Sequence, residues 1–152
     1  LVVHGGKVTQ IAVSPIDHAL SSGLMPVVYG DASLDEVRGG TIISTEALFF
    51  YLAEALRADQ ILLLGGVEGV FGLDGAVIDK ITPQNLASVE AALGGSHGTD
   101  VTGGMETKVR DMVSLVQLLP SLSIRILGNL SPGLLSSILA KRVSVGTLIA
   151  AS

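Results

Sequence analysis

Short, unbroken aliphatic runs alternate with helical patterns along this chain, and that alternation leaves few folds open. Residues 1–3, 26–29, 41–43, 60–64, 124–127 and 147–150 read as strands. Most are continuous apolar runs, with no polar residue at every second position. Both faces of such a strand are expected to be covered. Between the runs, capping residues and prolines punctuate the helices. Ser14-Pro15 opens a helix that stops at Gly23, and Ser44 caps another that carries Leu48, Phe49, Leu52 and Leu56. Thr82-Pro83 opens a third, ending at Gly94-Gly95; a fourth runs from Gly104 toward Pro120; Ser131-Pro132 opens a fifth. A Ser or Thr oxygen satisfies a free N–H at a helix start, and a proline just inside loses no hydrogen bond. Strand alternating with helix predicts an α/β fold with a mainly parallel sheet. Only Val67 to Ile78 breaks the pattern, reading as a hairpin with its turn near Gly72–Gly75.

No repeat, low-complexity tract or interdomain linker interrupts the 152 residues, which suit one domain with a real core. Five residues are Phe or Tyr and none is Trp, so that core must be aliphatic. Net charge is −5, without a basic cluster, which argues against nucleic acid as a partner. A phosphorylated ligand would need a local positive site in such an acidic chain. There is no cysteine, which excludes disulfides and thiolate metal sites and fits a reducing cytoplasm. No apolar run approaches the ~18 residues of a membrane span.

The chemistry-bearing strings sit where strands end. Asp100-Val101-Thr102-Gly103-Gly104-Met105-Glu106-Thr107-Lys108-Val109 leads a glycine turn into a helix, with a lysine one turn inside. Backbone N–H groups at Gly103 and Gly104, the helix N-terminus and Lys108 together suit a phosphate; an ordinary loop with a solvated lysine is the plainer reading. His4-Gly5-Gly6 follows the first strand. It is either an anion-wrapping turn or a tight turn with an incidental histidine. Gly30-Asp31 has the same placement, and Asp31 either meets a substrate or caps a turn. Glu46 lies in a first helical turn, where it favours the dipole or orients a lysine. In Gly65-Gly66-Val67-Glu68-Gly69-Val70-Phe71, three glycines in five residues either expose backbone to a flat adenine ring or mark a bulged hairpin entry. His18 and His97 read as surface residues. No metal cluster at ligand spacing, Walker A loop or G-x-S-x-G is present.

In their order, these strings resemble the amino-acid kinase superfamily, and within it the isopentenyl phosphate kinase family. His4-Gly5-Gly6, Pro26-Val27-Val28-Tyr29-Gly30-Asp31, Thr41 to Glu46, Val67 to Phe71 and Asp100 to Val109 carry the likeness. Gly146-Thr147-Leu148-Ile149 resembles the family's last strand. The resemblance implies a three-layer αβα fold and transfer of the ATP γ-phosphate to an isoprenoid monophosphate, with Mg²⁺, in a cytoplasmic homodimer. It implies that His4, Gly5, Gly6, Gly30 and Asp31 meet the acceptor, that Glu46 organises lysines, and that Gly65, Gly66, Val67, Gly69, Gly103, Gly104 and Lys108 meet the nucleotide. His4 and Lys108 would act in catalysis with Glu46. Residues 1–31 would belong to the acceptor-binding part and 41–152 mainly to the nucleotide-binding part of a single domain. Relatives of this family with carboxylate, carbamate, nucleoside monophosphate or phosphonate acceptors, and a non-catalytic nucleotide-binding module, remain open.

Three departures accompany the likeness. Glu46 stands for an aspartate, Gly65-Gly66 stand for Thr-Asp, and no Gly-Gly-Ser loop with a lysine precedes the first strand. The chain begins at Leu1 without Met, and Gly6 passes abruptly into Lys7-Val8-Thr9. The sequence is therefore expected to be ordered pieces of a longer protein.

Overall fold

The computed structural model describes residues 1–93 and 104–152. The expected third-helix end at Gly94-Gly95, His97 and Gly103 lie outside the described residues. The chain forms two compact units, Leu1–Ala58 and Asp59–Ser152. Each combines helices with a four-stranded sheet of mixed direction.

In the first unit, β1 (Val2–His4), β2 (Lys7–Gln10), β3 (Ala32–Asp35) and β4 (Gly39–Ile42) form a sheet in the order β2-β1-β3-β4. β1 pairs antiparallel with β2 and parallel with β3, and β3 pairs antiparallel with β4. Two helices accompany them, α1 (Ser14–Ser21) and α2 (Thr45–Ala55). Helix α2 starts as its sequence dictates: the Ser44 hydroxyl accepts a hydrogen bond from the Ala47 N–H at 3.1 Å. Val3, Ile16, Ile43, Leu48 and Leu52 close the aliphatic core of this unit.

The strand expected over 26–29 does not form. That run lies outside the sheet, and Val27 and Tyr29 are 83% and 72% exposed. The place beside β1 is taken by β3, which begins further on at Ala32, and the run itself pairs with no strand among the described residues.

In the second unit, β5 (Gln60–Gly65), β6 (Lys80–Ile81), β7 (Ser123–Gly128) and β8 (Thr147–Ile149) form a sheet in the order β5-β7-β8-β6. β5 and β7 run parallel in unbroken register, from Gln60 opposite Ser123 to Gly65 opposite Gly128. β8 is antiparallel to β7 and parallel to β6. The helices are α3 (Leu86–Leu93), α4 (Gly104–Leu118) and α5 (Leu134–Leu139). Helix α3 begins three residues beyond Pro83, because the Asn85 carboxamide accepts the Thr82 N–H at 2.7 Å and holds 82–85 as a turn. The expected hairpin is present: Phe71 pairs antiparallel with Val77, and the Gly72 N–H donates to the Ala76 carbonyl at 2.9 Å.

Helix α4 buries Val109, Met112, Val113 and Val116, spaced i, i+3, i+4 and i+7. Arg110, on its exposed side, donates to Glu90 of α3 at 2.8 Å and to Glu106 at 2.7 Å. Those contacts, Glu90 first, raise its pKa above the usual guanidinium value. At this exposure the pairs stabilise little, and the apolar face holds the helix. Met112→Ala is therefore expected to cost about 2–5 kcal/mol in urea unfolding, against roughly 0.5 kcal/mol or less for Leu118→Ala at the exposed end of the same helix.

Candidate functional site

The first unit gathers His4, Gly5 and Gly6 around a buried carboxylate that the sequence pattern does not single out. Asp35, 4% exposed, ends β3 beside the turn between β1 and β2. Its Oδ1 accepts from the N–H groups of Gly5 at 3.1 Å, Val37 at 2.8 Å and Arg38 at 2.8 Å, and its Oδ2 accepts from Gly6 at 2.5 Å. Burial pushes the Asp35 pKa up, but the N–H donors of Arg38, Val37, Gly6 and Gly5 outweigh it and hold the group at about 2. The turn does bind an anion, then, and the anion is the chain's own. Gly5 and Gly6 adopt φ of 61° and 85°, which suits residues without a β-carbon. His4 Nδ1 lies 3.2 Å from a carboxylate oxygen of Glu36. The Arg38 guanidinium covers Gly6, where an added β-carbon would fall 2.5 Å from its Nη1.

Gly30-Asp31 and Ser44-Thr45-Glu46 also come together in this unit. The Gly30 N–H donates to Thr45 Oγ1 at 3.2 Å, and a β-carbon on Gly30 would press on the Ile43 carbonyl at the start of α2. The Asp31 carboxylate accepts the N–H of Ala32, the first residue of β3, at 2.7 Å. Glu46 occupies the first turn of α2, where its charge suits the helix N-terminus.

The second unit holds the glycine-rich turn after β5. Gly65 and Gly66 are exposed, and among the described residues no atom beyond their chain neighbours lies within 4 Å of where a β-carbon would stand. Gly69 is enclosed instead: a β-carbon there would meet Val77 Cγ1 at 2.7 Å and Thr147 Oγ1 at 2.8 Å. Val67 and Glu68 are both exposed. Gly128 closes β7 against this turn, so tightly that a β-carbon would overlap the carbonyls of Gly65 and Val67. Gly104 opens α4 with φ 62°, and Lys108 lies one turn along.

A cleft of about 450 Å³ opens beside the turn, lined by Glu68, Asp79, Arg125, Asn129 and Leu134 among others. Asn129 donates to Glu68 at 3.2 Å, and Arg125 donates to the Val145 carbonyl at 2.9 Å. None of the lining residues belongs to α4, so Lys108 is not part of it. Two carboxylates against one guanidinium make it a poor seat for a triphosphate. The exposed Gly65-Gly66 pair and the start of α4 suit one better. Among the described residues, no three His, Cys, Asp or Glu side chains could hold a metal ion, and no helix is long and apolar enough to cross a membrane.

Asp35, Arg38, Gly128 and Asn129 escape a reading of the sequence. Gly128-Asn129 at the end of an apolar run was the one available signal, since ligands gather beyond strand C-termini.

Known proteins resemble this chain throughout. The model of the amino acid kinase family matches residues 2–127. An isopentenyl phosphate kinase of Haloferax volcanii is 45% identical over 106 residues, 70% of this chain and 42% of that protein. One of Methanocaldococcus jannaschii is 39% identical over 112 residues, 74% of this chain and 42% of that protein. The chain thus spans less than half the length of these relatives. Among solved structures, X-ray structures of isopentenyl phosphate kinase match with a TM-score of 0.74 at 24% identity, over 97% of this chain and 55% of that one. The fold is therefore the α/β fold of that enzyme.

The Asp35 pKa gives a signed expectation. A carboxyl held at about 2, below its ordinary 3.8, stabilises the fold above pH 3.8 and loses that contribution as pH falls toward 2. Asp35→Asn should lower the urea midpoint at pH 7, and the variant should lack the part of the stability loss between pH 4 and 2 that Asp35 supplies. Equal pH dependence in the two proteins would contradict this.

Proposed function

Because this chain belongs to the amino acid kinase family, we propose that it is part of an ATP-dependent kinase that phosphorylates isopentenyl phosphate to isopentenyl diphosphate. The observation that carries the nucleotide half is the exposed Gly65-Gly66 pair, without side chains, at the carboxyl end of the β5–β7 parallel pair. The acceptor rests on the identity to isopentenyl phosphate kinases across both units.

Phosphoryl transfer needs alignment and neutralisation of charge more than covalent help. A phosphate monoester is already a nucleophile, so no general base is assigned. On the nucleotide side, Gly65, Gly66 and Val67 present backbone to ATP, while Gly69, enclosed by Val77 and Thr147, shapes the turn rather than meeting the nucleotide. Gly103, Gly104 and Lys108 offer N–H groups and a full positive charge to its phosphates. Mg²⁺ arriving with ATP would neutralise phosphate charge. On the acceptor side, Asp35 occupies the N–H groups of Gly5 and Gly6. His4 and the Arg38 guanidinium are therefore the groups that meet the acceptor phosphate, while Gly5 and Gly6 shape the turn that presents them. Gly30 and Asp31 complete that side, and Glu46 orients lysine. A cytoplasmic homodimer completes the reading.

Steady-state kinetics with isopentenyl phosphate, small carboxylates and nucleoside monophosphates as acceptors tests it. Turnover of another acceptor without turnover of isopentenyl phosphate would leave only the family. ATP binding without turnover of any acceptor would favour a non-catalytic nucleotide module. Lys108→Ala should lower kcat by about 10²-fold or more, the scale of losing one preorganised electrostatic contact. His4→Ala should raise KM for isopentenyl phosphate more than KM for ATP, because it removes binding shared by ground and transition states.

A further inference from the structure

The turn after β5 is exposed at one end and locked at the other, and the lock lies 77 residues away in sequence. Thr147, fully buried at the start of β8, accepts the Val70 N–H on its Oγ1 at 2.8 Å. Val70 is also fully buried, so this hydroxyl replaces water as the partner of its N–H. The backbones interlock around that bond. Gly69 leaves room for Thr147 Oγ1, which would stand 2.8 Å from any β-carbon there. Gly146, at φ 74°, packs on the Ile126 carbonyl of β7, on which a β-carbon would press, and the Glu68 carbonyl would lie 3.1 Å from that β-carbon. Gly65 and Gly66, three or more residues upstream, are exposed, and among the described residues nothing beyond their chain neighbours lies within 4 Å of their missing β-carbons.

We propose that Thr147 is a positioning residue for nucleotide binding, an inference that rests on the nucleotide reading of residues 65–71. Its hydroxyl fixes where the turn leaves the sheet. Fixing Val70 sets the direction in which the exposed segment Gly65-Gly66-Val67 faces. A ligand that lies on backbone N–H and C=O groups gains affinity from a turn held in one geometry, because less ordering remains to be done on binding. Thr147 touches no ligand in this arrangement; it acts through Val70.

The test separates the hydroxyl from the volume it occupies. Thr147→Val keeps the shape and leaves the Val70 N–H without an acceptor, whereas Thr147→Ser keeps the acceptor and drops a methyl group. A non-hydrolysable ATP analogue is titrated calorimetrically into the unsubstituted chain and into each variant that keeps its circular dichroism spectrum. Thr147→Val is expected to weaken binding about tenfold, and Thr147→Ser to stay within about twofold. Should Thr147→Val not fold, Thr147→Ala replaces it, with the same order expected. Equal affinity in the valine and serine variants, or weaker binding by serine than by valine, would overturn the positioning role while leaving the nucleotide reading intact. No binding by the unsubstituted chain would overturn the nucleotide reading and this role with it.

Discussion

Gly128 sits so close to the carbonyls of Gly65 and Val67 that any side chain there would collide with backbone on both. That contact ends the parallel pairing of β5 and β7 and decides what comes after it. Up to Gly65 and Gly128 the two strands run in step, each residue opposite its partner. Beyond, the chain from β5 must turn away under the end of β7, and it does so with exposed backbone. A carboxyl-terminal strand end is where an open α/β sheet receives ligands. Here the crowding of two glycine backbones creates that opening. The sheet does not simply end at it.

The first unit follows a different logic. Its organising group is a charge rather than a close approach. Asp35 gathers the N–H groups of Gly5, Gly6, Val37 and Arg38, and so ties the turn after β1 to the turn after β3. A buried carboxylate without donors would be costly, but one with four backbone N–H partners is stabilised in its charged form. The same atoms that could have received an external phosphate hold the unit together. His4 and Arg38 lie beside it as side chains, His4 against Glu36 and Arg38 over Gly6.

Much of the fold was legible because its signals are local. The Ser44 cap, the Gly72–Gly75 turn, the stripe of Val109, Met112, Val113 and Val116, and the runs that became β5 and β7 each declare themselves within a few residues. Lys7-Val8-Thr9-Gln10 carries one apolar residue, so β2 leaves no pattern to read. Residues 26–29 fail in the opposite sense: apolarity marks a strand, but the run pairs with none among the described residues. The candidate site divides the same way. Glycines at strand ends can be seen in sequence, as can a lysine inside a helix start. Asp35 on Gly5 and Gly6, Arg38 over Gly6 and Thr147 on Val70 join residues far apart in the chain, and no short window contains such pairs.

The Thr147–Val70 bond bears on the order in which this protein assembles. Contacts between distant segments must first overcome the entropy of closing the loop between them, and so they tend to form late. Helix α4 and the β5–β7 ladder can take shape before β8 joins them. The turn at 65–71 cannot reach its final geometry until β8 is in place, since Gly146 and Thr147 hold its far side. The shape of this turn is thus settled after the bulk of the unit, by a strand that lies far from it in sequence.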